Sequence, residues 1–463
     1  MKISFHGATR GVTGSCHLVT CRGRRILIDC GMYQGGREIE EENRGDFGFD
    51  PSTVDYLLLT HAHLDHCGRI PLLVERGFRG EIITTGATRE LARLVMLDAA
   101  HIQEEDARWK SKKAARHGRR AEDIKPLYTT LDALNALDYF GRTARYNKPL
   151  KLWDGIQATF IDAGHILGSA SIVLELEEKG CRKKVLFSGD LGYPDRPILR
   201  DPAHPPPVDV VVMETTYGDR EHKQLLPSVQ ELYEAIMSTF RRGGNVVIPT
   251  FALERSQEVL YYLREGVEKG DLPGIMQVFL DSPMAISATR IFSRHPECFD
   301  REAYRIFHDG RDPFDLPGLQ FTRETSESMA INAIRGGAVI MAGSGMATGG
   351  RVRHHLKHNL WRKRCSVIFV GYAARGTLAR QIIDGAREVK IFGEVIPVEA
   401  SIYTIGGFSA HAGRSQLLEW FRRTGDPEHV FLVHGEEEAM ESFARTLGHR
   451  HTCMPGQHET YQL

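Results

Sequence analysis

Six apolar segments of this chain each end at an acidic residue or a histidine, and this repetition constrains the fold more than any other sequence feature. The segments and their final residues are RRILID to Asp29, VDYLLLTH to His61, ATFIDAGH to His165, KKVLFSGD to Asp190, VDVVVME to Glu214 and HVFLVH to His434. Short apolar segments bounded by polar residues and glycine are typical of buried strands. Side chains at strand ends stand on a rigid frame and face the loops at the edge of a sheet. We therefore expect sheets whose edges carry these side chains.

Helical segments alternate with the strands, which predicts an α/β (α+β) chain. One example is TRELARLVMLDAAHIQEEDARW, where apolar residues recur every three or four positions. After Glu214, strand-and-loop units such as MQVFLDSPMA and CSVIFVGYAARGTLARQI predict βαβ units in a largely parallel sheet. Histidines of the metal-binding type resume at His411 and His434. We therefore expect a first domain, 1–214 and 396–463, interrupted by a second domain, 215–395.

Composition excludes several classes of protein. The 463 residues are 41% hydrophobic and 26% charged, which excludes disordered and collagen-like chains. The longest apolar runs are too short to span a bilayer, and the first residues lack the apolar core of a signal peptide. The eight cysteines include no CxxC pair, so a disulfide framework is not expected. These features predict a cytoplasmic protein without a membrane partner.

The segment THAHLDHCG carries four metal-binding side chains within six residues: His61, His63, Asp65 and His66. Imidazole nitrogens and carboxylate oxygens are ligands that zinc prefers. The spacing places His61 and His63 on one side of an extended turn, while Asp65 and His66 can point toward a second ion. A loop of surface polar residues is the alternative, and the density of the HxHxDH pattern argues against it.

Three residues at other strand ends complete the ligand set: His165, Asp190 and His434. Each alone is weak evidence of function. Together with the HxHxDH motif they supply seven ligands, about what two zinc ions need if one carboxylate bridges them and a water completes each coordination shell. Asp29 has no partner in its own segment, and we expect it to accept a ring N–H from a ligand histidine.

These residues resemble the metallo-β-lactamase superfamily. HxHxDH with the later His, Asp and His is similar to the metal motif of the superfamily, and GATRGVTGS lies near the N-terminus. ETTYG at Glu214, GGFSAH at His411 and VHGE at His434 resemble the three further motifs of its β-CASP branch. The resemblance covers nearly the whole chain, and no motif position departs from the family pattern. The β-CASP branch contains RNA and DNA nucleases, including the endonuclease subunit of the eukaryotic cleavage and polyadenylation factor.

The resemblance implies a four-layer αββα sandwich with a β-CASP domain inserted as a cap over the metal cleft. It implies one zinc ion held by His61, His63, His165 and Asp190, and a second held by Asp65, His66, Asp190 and His434. RNA-cleaving members carry a histidine at the position of His434, which favours RNA over DNA. The chain ends 29 residues after His434, and this short form is most similar to bacterial endonuclease-type members.

The chemistry of phosphodiester hydrolysis agrees with this resemblance. Two zinc ions can activate a water as a hydroxide nucleophile and polarise the phosphate. The departing ribose oxygen still needs a proton, and His411 with Glu214 as its orienting carboxylate is a plausible general acid. A helix cap or a core position is the alternative for His411. The expected catalytic residues are thus Asp65, Glu214 and His411.

Basic and glycine-rich segments are candidates for RNA contact. The runs Arg108 to Arg120 and Arg351 to Arg364 contain no acid and could bind phosphates, although each could equally be a solvated helix face. The segment GSGMATGG, from Gly343 to Gly350, could bind a phosphate through backbone N–H groups or form a tight turn. The candidate substrate contacts are Arg255, Ser256, Ser344, Gly345, Arg351, Arg353 and Ser409.

The leading hypothesis is a zinc-dependent ribonuclease with RNA as partner, endonucleolytic in action. The alternative is a hydrolase of a small ester, thioester or phosphodiester in the same superfamily. A non-catalytic RNA-binding subunit ranks third, because all seven ligands are present. The sequence leaves the RNA target and the oligomeric state open, with a homodimer among the arrangements considered.

Overall fold

The computed structural model describes residues 1–35, 41–116, 124–221, 224–371, 373–374, 376–448 and 451–463. The chain divides into two compact units. The first comprises Met1–Pro194, Asp201–Glu221 and His411–Leu463, and the second comprises Asp195–Arg200 and His222–Ala410. Among the described residues, no helix has the length and apolar character required to cross a bilayer.

The first unit contains two sheets. The described strands of one sheet are, in spatial order, β22 (Thr460–Gln462), β1 (Lys2–Gly7), β2 (Cys16–Cys21), β3 (Arg24–Ile28), β4 (Tyr56–Leu58), β5 (Glu81–Thr85) and β6 (Phe140–Ala144). Those of the other are β21 (Thr452–Cys453), β20 (His429–Val433), β11 (Val210–Glu214), β10 (Cys181–Phe187), β9 (Ala170–Glu178), β8 (Ile156–Asp162) and β7 (Leu150–Trp153).

The two sheets face each other across one apolar core. Phe5 and Ile28 from the first sheet pack with Phe160, Phe187 and Phe431 from the second, and all five are buried. Alternate residues of a strand point to opposite faces, so each sheet has a second buried face on its outside. The apolar residues of both inner faces thus form the centre of a sandwich.

Helices cover the outer faces of the first unit. The described α-helices are α1 (Leu64–Cys67), α2 (Ile70–Glu75), α3 (Gly86–Arg116), α4 (Thr130–Ala136), α12 (Arg414–Arg422) and α13 (Glu437–Leu447). Leu417 of α12 and Phe443 of α13 pack on Val211 and Leu432 of the second sheet, while α3 packs against β5 and β6. The four-layer αββα arrangement expected from the resemblance is therefore confirmed.

The second unit is built on a parallel sheet. Its described strands are, in spatial order, β14 (Leu319–Phe321), β13 (Gln277–Leu280), β15 (Ala338–Ala342), β12 (Val246–Pro249), β16 (Ser366–Val370) and β19 (Ser401–Ile405). A hairpin of β17 (Glu388–Ile391) and β18 (Glu394–Pro397) accompanies it. The helices are α5 (Leu225–Arg241), α6 (Arg255–Lys269), α7 (Pro283–Phe292), α8 (Arg301–His308), α9 (Thr325–Ile331), α10 (Val352–Asn359) and α11 (Leu378–Ile383).

Along the sequence, the chain passes from one unit to the other at residues that differ from the boundaries expected at 214/215 and 395/396. The second unit extends to Ala410 because β19 pairs in parallel with β16, from Ser366 opposite Ser401 to Val370 opposite Ile405. The segment Asp195–Arg200 also belongs to the second unit, where Leu199 forms an isolated β-bridge with Phe299.

Candidate metal centre

Strand direction explains why distant polar residues lie together in the first unit. β3 runs parallel to β4, and β10 runs parallel to β11, which is parallel to β20. β8 is antiparallel to β9, which is antiparallel to β10, so β8 and β10 end on the same side. The residues that follow or end these strands therefore lie at one edge of the sandwich, as Asp29, His61, His165, Asp190, Glu214 and His434 do.

The first group of possible ligands is His61, His63, His165 and Asp190. Nδ1 of His63 lies 3.1 Å from Nε2 of His61 and 3.1 Å from Nε2 of His165. Oδ2 of Asp190 lies 3.4 Å from Nε2 of His61 and 3.6 Å from Nε2 of His165. Ligand atoms around a tetrahedral zinc ion are about 3.3–3.4 Å apart when the metal–ligand bonds are about 2.0–2.1 Å. The spacing of these four atoms therefore fits a metal ion.

The second group is Asp65, His66 and His434. Nε2 of His66 lies 3.2 Å from Nε2 of His434 and 3.2 Å from Oδ1 of Asp190, and Oδ2 of Asp65 lies 3.5 Å from Nε2 of His434. Within the described ranges, Oδ1 of Asp190 is buried and accepts no hydrogen bond of normal geometry. A buried carboxylate oxygen in that state is costly unless a cation is its partner. Asp190 thus faces both groups, and the donor set fits a metal centre.

Burial controls the protonation of these histidines. Burial and the neighbouring His66 lower the pKa of His61 to about 3, and burial lowers the pKa of His63 to about 4. Both rings are therefore neutral at pH 7, the form in which an imidazole binds a metal. Burial also opposes a charge on His66, but Asp190 and Asp29 hold its pKa well above the usual value. The two carboxylates thus favour positive charge at His66. That charge can be a proton on the ring or a metal ion, and the two compete for Nε2.

Asp29 and Thr60 lie behind His66 and His61. Oδ2 of Asp29 lies 2.7 Å from Nδ1 of His66, and both oxygens of Asp29 accept hydrogen bonds from Thr60, from its backbone N–H to Oδ1 and from its hydroxyl to Oδ2, each at 2.8 Å. Oγ1 of Thr60 also lies 3.0 Å from Nδ1 of His61. Such contacts fix the orientation of a ligand ring.

Glu214 and His411 form a pair beside the first group. Glu214 is buried, and its carboxylate accepts hydrogen bonds from the backbone N–H of Leu191 at 2.6 Å and of Thr216 at 3.3 Å. Nδ1 of His411 lies 3.3 Å from both carboxylate oxygens, and its ring centroid is 4.6 Å from that of His165. Burial alone would lower the pKa of His411, but Glu214, helped by Asp190, raises it to about 9. His411 therefore carries a proton at neutral pH.

Comparison with known proteins identifies the fold family. Residues 9–141 match the family model of the metallo-beta-lactamase superfamily, residues 256–382 match the Beta-Casp domain, and residues 395–454 match the Zn-dependent metallo-hydrolase RNA specificity domain. A protein named Ribonuclease TTHA0252, from Thermus thermophilus, is 41% identical over 97% of this chain and 96% of its own length. The transcription termination factor FttA of Methanocaldococcus jannaschii is 34% identical over 96% of this chain and 69% of its own length.

The chain belongs to the β-CASP branch of the metallo-β-lactamase superfamily. This confirms the resemblance drawn from the motifs. A crystal structure of a protein of unknown function from Enterococcus faecalis superposes with a TM-score of 0.56 at 12% identity, over 100% of this chain and 99% of that protein. At that identity the likeness shows a shared fold alone.

Several residues predicted to contact substrate lie in the second unit, called the β-CASP unit below because it contains the Beta-Casp match. The metal donors lie in the first unit. The guanidinium of Arg255 pairs with Glu258 and lies 5.7 Å from the ring centroid of Phe408. Oγ of Ser256 donates to the carbonyl of Phe251 at 2.7 Å, and Ser409 lies between β19 and His411. RNA contact by these residues stays a prediction.

The glycine-rich segment forms a compact loop after β15. The N–H of Ala347 donates to the carbonyl of Ser344 at 3.0 Å, and the N–H of Gly349 donates to Oγ of Ser344 at 3.4 Å. A Cβ atom at Gly345 would lie 2.7 Å from the ring of Phe251. Internal hydrogen bonds and this close approach agree with a tight turn, one of the two interpretations of the segment. Phosphate binding by Ser344 and Gly345 stays a prediction.

Arg351 and Arg353 have partners within the β-CASP unit. Arg351 donates to Oδ1 of the buried Asp281 at 2.7 Å, to the carbonyl of Thr322 at 3.1 Å and to that of Arg323 at 2.6 Å. The guanidinium of Arg353 lies 4.6 Å from the ring centroid of Phe392. These contacts give both arginines a packing role, and their contact with RNA stays a prediction.

The other basic run lies on α3 as far as Arg116, and residues 117–120 lie outside the described residues. Trp109 is 61% exposed on this helix, and Nζ of Lys113 lies 5.1 Å from its ring centroid. Exposed basic and aromatic side chains can contact nucleic acid. This run therefore remains a candidate RNA contact.

The sequence did not predict a role for three residues that support the site. Thr60 bonds to Asp29 as described, and Oγ1 of Thr216 lies 3.1 Å from Nδ1 of His434. Gly31 lies against the metal motif, since a Cβ atom there would be 1.6 Å from the carbonyl oxygen of Asp65. Thr60 and Thr216 lie directly beside motif residues in sequence, and this adjacency could have indicated their supporting role. Gly31 gave no local signal, because its neighbour lies on another strand connection.

Proposed function

We propose that this chain is a metal-dependent RNA nuclease that hydrolyses phosphodiester bonds. One observation carries the proposal: seven donors form two groups, Asp190 of the first group lies 3.2 Å from His66 of the second, and the Glu214–His411 pair lies beside them. The name of the relative from Thermus thermophilus, a ribonuclease aligned over nearly its full length, supports RNA as the substrate. The family model matched at 395–454, described as an RNA specificity domain, points the same way.

Two zinc ions are the proposed cofactors. The first would be held by His61, His63, His165 and Asp190, and the second by Asp65, His66, Asp190 and His434, because nitrogen and carboxylate donors in a four-coordinate arrangement suit zinc. When bound, zinc supplies Lewis-acid polarisation of a phosphoryl oxygen and makes water acidic enough to act as a nucleophile at neutral pH.

The chain's own residues orient the ligands and supply a proton. Asp29 and Thr60 hold the rings of His66 and His61, which fixes the nitrogen that each offers to a metal. His411 would donate its proton to the departing ribose oxygen, and Glu214 would keep the ring protonated and oriented. Asp65 would contribute a carboxylate oxygen to the second group of metal donors. Cleavage inside the RNA chain, rather than from an end, remains the prediction from the resemblance.

Hydrolysis of a small ester, thioester or phosphodiester is the alternative function. The β-CASP match and the Glu214–His411 pair argue against it, because small-ester hydrolases of the superfamily do not carry these features. The compartment and the oligomeric state also stay predictions: cysteine content favours the reducing cytoplasm, and a homodimer is testable by sedimentation.

End-labelled RNA incubated with the metal-replete protein tests the proposal. We expect internal cleavage products that disappear with a chelator and return when zinc is added back. His63→Ala should remove activity, while His101→Ala, an exposed histidine on α3 paired with Glu105, should retain it. The same assay is carried out in parallel with single-stranded DNA of the same sequence and with a panel of thioesters and lactones. Hydrolysis of the panel without RNA cleavage would favour the alternative.

A further inference from the structure

Four charged side chains are buried together in the second unit: Arg196, Glu254, Arg255 and Glu258. Nη2 of Arg196 lies 3.8 Å from Oε1 of Glu254 and 3.5 Å from Oε2 of Glu258, and each of these three side chains is at most 3% exposed. Arg255 pairs with the same oxygen, Oε2 of Glu258. The group holds two positive and two negative charges. Because burying charge is costly even when it is paired, such a group contributes more through fixing a conformation than through net stability.

The backbone at Glu254 is strained. Its φ is 62° and its ψ is −57°, and the N–H of Arg255 donates to the carbonyl of Leu253 at 2.7 Å. This closes a γ-turn of the positive-φ form, which is rare and strained for a residue with a Cβ atom. A residue remains in such a conformation only where its surroundings hold it. The γ-turn directs Glu254 into the buried charged group just before α6 begins.

Arg196 also contacts the segment that leads to His411. Its Nη1 donates to the carbonyl of Ala410 at 3.3 Å. Ala410 is the last residue of the second unit, and His411 follows it directly. Beyond His411, the N–H of Ala412 donates to the carbonyl of Leu191 at 2.7 Å. The backbone is thus held by a named contact on each side of His411.

Packing immobilises the same segment. Phe408 is fully buried, 5.8 Å from the ring of Tyr262 and 5.7 Å from the guanidinium carbon of Arg255. A Cβ atom at Gly407 would lie 2.2 Å from Oγ of Ser228, so only glycine fits that position. The charged group therefore touches the segment at two points, through Arg255 at Phe408 and through Arg196 at Ala410.

We propose that Arg196 is a positioning residue for proton transfer by His411: held by Glu254 and Glu258, it fixes the carbonyl of Ala410 and so the backbone from which the His411 side chain extends. This inference rests on the proposed function, because it assigns the positioning to the proton-transfer step. It predicts an effect on turnover rather than on RNA binding, since Arg196 acts through His411 and not on the substrate.

The test compares variants that differ in charge balance. Arg196→Gln alone leaves two buried carboxylates short of a partner, so the main variant is Arg196→Gln with Glu254→Gln, which keeps the group neutral. We expect its turnover to fall by about 10- to 100-fold, as a small misplacement of a reacting group does, with KM changed less than about threefold. Arg264→Gln is the matched control. Arg264 is equally buried on α6 but bonds to Glu268 and to the carbonyl of Pro313, and its loss should leave turnover near that of the wild type.

Two readouts separate positioning from a general loss of structure. A substrate with sulfur in place of the departing ribose oxygen needs less protonation, so the neutral double variant should recover most of its activity on it. Added to His411→Ala, the double substitution should cause little further loss, because both act on one proton transfer. Equal losses on both substrates, or a full additional loss with His411→Ala, would overturn the inference.

Hydrogen exchange keeps the inference testable apart from catalysis. Amides in the peptide 406–412 should exchange faster in the neutral double variant and at the wild-type rate in Arg264→Gln. If the double variant does not fold, Arg196→Lys retains the charge and loses the forked donor, and the same increase is expected at smaller amplitude. Unchanged exchange in 406–412 would refute the inference even if RNA is cleaved. Faster exchange in the double variant, combined with a wild-type protein that cleaves no RNA, would instead refute the proposed function and leave the positioning of the 406–412 backbone intact.

Discussion

Nδ1 of His66 lies 2.7 Å from Oδ2 of Asp29, and both side chains are buried. This contact determines which nitrogen of the ring faces Asp190, since Nε2 is the one that lies 3.2 Å from Oδ1 of Asp190. Asp29 is itself held by two hydrogen bonds from Thr60. A carboxylate, a histidine and a metal in line form an arrangement that raises the basicity of the ring and fixes its orientation.

Asp29→Asn should weaken zinc binding by about 10- to 100-fold without unfolding the chain, because the amide keeps the volume but loses the charge that orients His66. Competition with a chromophoric chelator measures the affinity. Asp55→Asn is the control, since Asp55 pairs with Arg24 just before β4 begins. Equal affinities for Asp29→Asn and wild type would remove Asp29 from the proposed centre.

Metal-replete protein should contain roughly two zinc ions per chain, because seven nitrogen and oxygen donors are available and Asp190 faces both groups. Elemental analysis provides the number, and one ion or none would contradict it. His63→Ala should abolish cleavage and lower the zinc content while circular dichroism stays close to that of the wild type. The apolar clusters of both sheets do not include the proposed metal ligands, so the fold should persist.

His411→Ala should lower turnover by about 10²–10⁴-fold with little change in RNA affinity, the usual contribution of a general acid. Glu214→Gln should lower turnover less, because Glu214 orients the ring without touching the substrate. The double variant should be little worse than His411→Ala, since both act through one proton transfer.

A bridging 3′-thiolate substrate provides the control for His411. Sulfur leaves with less protonation, so it should restore activity to His411→Ala more than to wild type under the same metal. Equal loss on the oxygen and sulfur substrates would show that His411 supports structure or metal binding.

Gly31→Ala should disrupt the metal motif, because its Cβ atom would fall 1.6 Å from the carbonyl of Asp65. The backbone on both sides is fixed, since the N–H of Cys30 donates to the carbonyl of His66 and that of Met32 to Leu64. We expect a loss of stability of about 1–3 kcal/mol, typical of overpacking, with reduced zinc content. In Gly11→Ala the new Cβ atom meets nothing within 4 Å, so wild-type zinc content is expected there; comparable losses in both variants would contradict the argument.

Arg351→Gln should lower the free energy of unfolding by about 1–3 kcal/mol, because Asp281 is buried and loses a charged donor. Lys357→Gln should change it by less than about 0.5 kcal/mol, since Lys357 pairs with the exposed Glu394. Urea titration measures both. The salt dependence of RNA binding, measured alongside, distinguishes a phosphate contact: a flatter slope at unchanged stability would show that Arg351 binds RNA.

Local sequence pattern predicted the parts of the site that depend on local order. A segment of about ten residues is enough to recognise a polar residue at the end of an apolar strand. The six such residues lie at one edge of the first unit. The HxHxDH spacing likewise brought together four side chains, of which His61 and His63 lie in the first group of donors and Asp65 and His66 in the second. The six strand ends lie together because of the directions of their strands. The motif resemblance implied those directions through the family fold, whereas the sequence pattern alone did not.

Long-range partners explain what the sequence did not predict. The strand Ser401–Ile405 joins the second compact unit because it pairs with β16, more than 30 residues earlier, so this unit extends beyond residue 395. Arg351 reads as part of a basic run, yet its carboxylate partner is Asp281, 70 residues away. A run of like charges carries no information about such pairing, and neither does the spacing of motifs.

The order of the ligands along the chain has a consequence during translation. His61 lies near the beginning of the sequence, whereas His434 follows β20, which pairs with β11 inside the second sheet. At about 5–20 residues per second, roughly 20–75 s separate the synthesis of these two histidines. A nascent chain therefore lacks one donor of the second group until translation has passed residue 434. An RNA-cleaving centre assembled in this way stays unfinished while the ribosome translates the second unit, which lies between these two histidines in sequence.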